Sequence, residues 1–80
     1  MHELGVLTRA LARVQRAAEE NGIAAVRSIT LEMGEYSGFV GAYFMKLFPA
    51  AREMYPATAA AELKLLTVPG RGLSIKELSY

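Results

Sequence analysis

The chain predicts an α+β fold of order αβαββ, with two helices packed on one face of a three-stranded mixed sheet. Three observations carry this. One long segment repeats its apolar residues at helical spacing, and the next alternates with a period of two. Later, two short apolar runs flank a Pro/Gly-rich connection. With 80 residues there is room for one domain, residues 1–80, and one core.

From Leu4 to Asn21 the positions Leu4, Leu7, Leu11, Val14 and Ala18 recur at spacings of three and four. They form one apolar stripe, with Arg9, Arg13, Arg16, Glu19 and Glu20 left to water. Asn21-Gly22 supplies the residue type that ends a helix in a left-handed conformation.

Ala25 to Met33 reads as a strand. Ile29, Leu31 and Met33 point to the core, and Ser28, Thr30 and Glu32 point away. Gly34 to Gly38 breaks it, with Ser37 placed to cap the next helix. That helix is expected over Phe39 to Tyr55, where Val40, Phe44, Leu47, Phe48, Ala51 and Met54 or Tyr55 share a spacing. Pro49 should kink it or open a second short helix, and Pro56 ends it. Tyr36, Phe39, Tyr43 and Met45 cannot all face inward together with Phe44, Leu47 and Phe48. An apolar remainder is therefore expected on the surface, as a protein partner would require. Ala57 to Ala61 reads as a connector.

Glu62–Val68 and Leu73–Ser79 are two further strands, and Pro69-Gly70-Arg71-Gly72 between them reads as a hairpin turn. The first and second strands are linked through a helix, which is why the sheet is expected to be mixed.

Composition excludes several functions. Nine basic and eight acidic residues give a net charge of +1, without the basic excess of a nucleic-acid binder. Glu3 and the interspersed arginines oppose a signal peptide, and no apolar run is long enough to span a membrane; a cytoplasmic protein is expected. The chain has no cysteine, so it holds neither a disulfide nor a thiolate metal site. Its apolar content, 52%, is high for a small domain, and a second copy of the chain is one candidate to cover the excess.

Catalytic equipment is sparse. The single histidine, His2, has no Ser/Asp partners at hand, and the Gly34 to Gly38 turn lacks a phosphate-loop pattern. No enzymatic activity is expected. The place of His2 does, however, define a coordination chemistry. The amine of Met1, the amide nitrogen of His2 and the His2 imidazole Nδ1 close a five- and a six-membered chelate ring around one metal. The amide nitrogen of Glu3 can take the fourth corner. Planar nitrogen donors favour Ni(II) or Cu(II) over tetrahedral zinc. Because these amides lie at a helix start, where no intrahelical acceptor awaits them, using them as ligands sacrifices no helical bond. The competing reading is a solvated, idle terminal histidine.

Four ordered blocks then carry a resemblance. Met1-His2-Glu3-Leu4 ahead of an amphipathic helix resembles the MHE[LMY] start of the HypA/HybF family. Ile29 to Gly38 is similar to that family's VxLxxGELSG strand and turn. Ala61-Glu62-Leu63-Lys64-Leu65 resembles the strand before its VP turn, and Leu73 to Leu78 resembles its closing strand. The resemblance implies a metallochaperone delivering nickel to [NiFe]-hydrogenase, and in some organisms to urease. It implies Ni(II) at His2 and neighbouring backbone nitrogens, a role for Glu3 at the same site, and partners in a HypB-like GTPase or the hydrogenase large subunit.

Two features depart from the family. Its zinc ribbon, with two CxxC pairs, is inserted between the last two strands, where this chain runs directly through residues 69–72. A zinc-free member is therefore expected, whether the loss is natural or engineered. Pro49 inside the aromatic-rich second helix is the other departure. The alternative to a chaperone is a non-catalytic scaffold, a permanent accessory subunit of a hydrogenase complex that uses the HypA-like fold as an interaction module.

Overall fold

In the computed structural model, which describes residues 3–80, helix α1 spans Glu3–Glu20 and strand β1 spans Ser28–Gly34. Helix α2 follows over Gly41–Ala51, then two 3₁₀ turns, Arg52–Met54 and Pro56–Thr58, and strands β2 (Glu62–Val68) and β3 (Leu73–Ser79). The architecture is the expected αβαββ with a mixed sheet.

The strand order corrects one expectation. The order is β2-β1-β3, so β2 and β3 do not pair and residues 69–72 are not a hairpin turn. β1 lies between them, parallel to β2 and antiparallel to β3. The connection must therefore cross the end of β1. It does so on hydrogen bonds from the Gly34 amide to the Gly72 carbonyl (2.7 Å), Glu35 to Val68 (2.8 Å) and Tyr36 to Gly70 (2.9 Å). A Cβ on Gly34 would lie 2.6 Å from the Gly70 carbonyl carbon and 2.8 Å from the Arg71 nitrogen. Gly34 is thus required by the crossing itself, and Gly70, at φ 109°, by the turn that makes it. Composition alone cannot separate a tight hairpin from a short crossover, because both call for glycine.

The apolar stripe of α1 is realised at Leu7, Leu11, Val14 and Ala18, all buried. At its first position the pattern is reversed: Leu4 is 49% exposed and Glu3 is 6% exposed. From α2, Phe44 and Phe48 enter the same core and meet Ile29, Leu31 and Leu63 of the sheet. Phe39 packs its ring on that of Phe44 at a centroid distance of 5.6 Å, tilted by 56°. Tyr36, Tyr43 and Met45 stay on the surface, as the crowding argument requires.

α2 runs through Pro49 to Ala51, which excludes a separate helix opening at Pro49. The proline removes one backbone bond in the final turns, where the chain is about to tighten into 3₁₀ geometry at Arg52. The alanine segment is more than a connector. Ala57 and Ala61 are buried, and fully buried Thr58 donates its hydroxyl to the Arg52 carbonyl at 2.8 Å. Gln15 of α1 accepts the Ala57 amide at 2.8 Å, which ties this segment to the first helix. Small residues are used here because helix and turn approach closely.

On the face of the sheet away from the helices, Ser28 and Ser79 share a hydrogen bond. β3 carries a register irregularity opposite Thr30 and Leu31, with Lys76 as the extra residue. No helix among the described residues is long and apolar enough to cross a membrane.

Candidate metal centre

α1 begins at Glu3, the last of the three expected metal-site residues. Met1 and His2 lie outside the described residues. Glu3 is therefore where the geometry of the site can be followed.

Its side chain turns into the protein, where Glu3 Oε2 accepts the backbone N–H of Val40 at 3.1 Å. Val40 is the N-cap residue of α2, with extended dihedrals of φ −108° and ψ 112°. A carboxylate here faces the positive end of the α2 dipole and accepts from an amide at the helix start. The acceptor for this amide thus comes from another helix, 37 positions away in the chain. Ser37, expected as the cap, instead accepts the amide of Phe39 at 3.3 Å in a local turn, and no side chain within α2's own segment caps the helix.

The start of α1 is consequently fixed to the start of α2. Burial of an ionised group is tolerated when its oxygens find donors, which explains why Glu3, and not Leu4, turns inward. The Glu3 carboxylate is committed to holding two helix ends together. The described chemistry of Glu3 is thus that of an anchor between α1 and α2.

Around this anchor, Leu4, Tyr36, Val40 and Tyr43 keep 49%, 72%, 45% and 46% of their surface exposed. Val40 was expected in the apolar stripe of α2; it is instead the residue through which Glu3 is held. Glu35, exposed in the turn, donates its backbone amide to Val68. Among the described residues, no group of three or more His, Cys, Asp or Glu side chains is placed to hold a metal. A centre built from side chains alone therefore has no candidate among residues 3–80.

Comparisons with known proteins bear on the fold and the family. No curated protein matches the chain. Among solved structures, the solution structure of the Ni metallochaperone HypA from Helicobacter pylori superimposes with a TM-score of 0.89 at 16% identity, covering 99% of this chain and 97% of that one. The solution structure of a HypA protein superimposes with a TM-score of 0.72 at 24% identity; the match covers 84% of this chain and 56% of that longer one. At these identities the likeness establishes the fold. The sequence profile described as hydrogenase/urease nickel incorporation, metallochaperone, HypA matches residues 1–74. The chain belongs to the HypA family, the metallochaperones of nickel incorporation into hydrogenase and urease.

Proposed function

We propose that this protein carries one Ni(II) ion at its N-terminus and releases it by ligand exchange to a [NiFe]-hydrogenase precursor. The donors are the Met1 amine, the amide nitrogen and imidazole Nδ1 of His2, and the amide nitrogen of Glu3. Four nitrogens in a plane suit Ni(II), and the transfer involves no catalysis. The recipient is the hydrogenase large subunit, with a HypB-like GTPase as the partner in delivery, and the work is done in the cytoplasm.

The observation that supports this reading best is the bond between Glu3 and Val40. It fixes the first turn of α1 to the body of the protein. The Glu3 amide that the chelate would use therefore sits on a helix start tied to the protein body.

The β2–β3 connection and the residue content support a zinc-free reading. Residues 69–72 cross β1 in four steps, at the point where family members carry their ribbon, and the chain has no cysteine. We read the protein as a zinc-free member whose sheet closes without the insertion.

A second reading, a permanent scaffold subunit of a hydrogenase complex, is favoured by the exposed Tyr36, Tyr43, Met45 and Met54. Nickel titration of the untagged protein, with intact-mass confirmation of a free Met1 amine, separates the two. The chaperone reading expects one Ni(II) per chain, lost in His2→Ala. The scaffold reading expects no stoichiometric nickel and stable co-purification with a hydrogenase complex.

A further inference from the structure

Beside α1, on the flank facing β3, a cleft of about 130 Å³ opens between the helix and the strand. Leu31, itself buried, lies at its floor, and Ala10, Leu73 and Ile75 form apolar walls. Arg9 and Arg13 stand at its rim, both exposed. No carboxylate lines it.

The two arginines are four residues apart on one helix, so their like charges repel, and this arrangement opposes helix stability. Nothing offsets it. The residues one turn away from Arg9 are Gly5, Val6, Ala12 and Arg13, and those one turn from Arg13 are Arg9, Ala10, Arg16 and Ala17. Among the described residues the one ion pair joins Lys76 to Glu32, on strands β3 and β1. An uncompensated cationic pair over an apolar slot is complementary to one kind of occupant: an aliphatic side chain flanked by carboxylates. The slot has room for one such side chain, and Ala10 keeps the helix side of it open.

We infer that the α1–β3 cleft is a docking site for an acidic segment of a partner protein, inserting one aliphatic side chain between Ala10 and Ile75 while its carboxylates pair with Arg9 and Arg13. The site is built from residues that take no part in metal binding, so it operates on metal-free protein and stands apart from the nickel reading.

The test is an amide chemical-shift titration of the ¹⁵N-labelled full chain in EDTA. The probe is the blocked peptide Glu-Glu-Leu-Glu-Glu, and the control carries lysine in place of glutamate. The expected result is saturable shifts confined to residues 6–13 and 73–75 for the acidic peptide, absent for the basic one and weakened by added salt. Arg9→Gln/Arg13→Gln should bind about tenfold more weakly or worse, with an otherwise unchanged spectrum. Arg9→Glu/Arg13→Glu should reverse the preference between the two peptides. The inference is overturned by absent shifts, by shifts centred elsewhere, or by equal response to both peptides. It is also overturned if sedimentation shows a dimer and the same amides shift with protein concentration alone, which would assign the cleft to a second copy.

Discussion

Glu3 and Val40 meet at 3.1 Å, a carboxylate from one helix accepting the backbone N–H of the residue at the N-cap of another. The contact satisfies the N–H of the N-cap residue itself, as the glutamate of a capping box does, and it does so from the other helix. In the proposed nickel reading, anchoring and metal binding would share this one residue.

Glu3→Ala should destabilise the fold by about 1–3 kcal/mol, the range for losing a hydrogen bond to a charged group and leaving its donor without that partner. Glu3→Gln keeps an acceptor oxygen and loses the charge at the helix end, so it should cost about 1 kcal/mol or less. Urea denaturation followed by circular dichroism gives both values. Equal stability of Glu3→Ala and the wild type would mean that the contact contributes nothing.

Gly34→Ala should cost about 3 kcal/mol, at the upper end of overpacking penalties, because the obstructing atoms are backbone and cannot swing aside. Gly72→Ala, where a Cβ meets nothing within 4 Å, serves as the control. If the two alanine variants melt alike in thermal denaturation, the crossing is not the constraint described here.

Phe44→Ala removes a side chain with no exposed surface and the ring against which Phe39 packs. A loss of about 3–5 kcal/mol is expected. In a domain of this size that is a large share of the total stability. Met45→Ala, next in sequence but 49% exposed, should change stability by less than about 1 kcal/mol. Denaturation midpoints measured side by side decide the matter.

Nickel affinity should fall steeply in acid. Each backbone amide that binds must release its proton, so binding that uses the His2 and Glu3 amides releases at least two. Apparent affinity then drops on the order of a hundredfold per unit decrease in pH. Isothermal titration in buffers of different ionisation enthalpy counts the protons released. A count near zero would exclude amide ligation.

Much of this architecture can be read from residue order. The α1 stripe, the alternation of β1 and the crowding of aromatics in α2 are local patterns, and each corresponds to an element in the structure. What could not be read is non-local. Leu4 fits the helical stripe perfectly in sequence, yet it is exposed because Glu3 has a partner 37 residues away. Periodicity carries no information about such a partner. The glycines at 70 and 72 signal a tight reversal without specifying which strand lies beneath it, so the residues point to a hairpin where the structure has a crossover. Ala57 and Ala61 look bland as residues, and their burial depends on how closely α1 approaches. For the proposed metal centre, residue types alone suggest the donor set, while the anchoring contact of the Glu3 side chain is visible only in the fold.

The most direct test of the nickel reading is titration of Ni(II) into the untagged protein with an intact, unacylated Met1, beside His2→Ala. One ion per chain is expected for the wild type, with the absorption of a diamagnetic square-planar complex. His2→Ala should lose that signal while its circular dichroism and urea midpoint stay unchanged. Equal nickel binding by both proteins, or none by either, would contradict the N-terminal chelate.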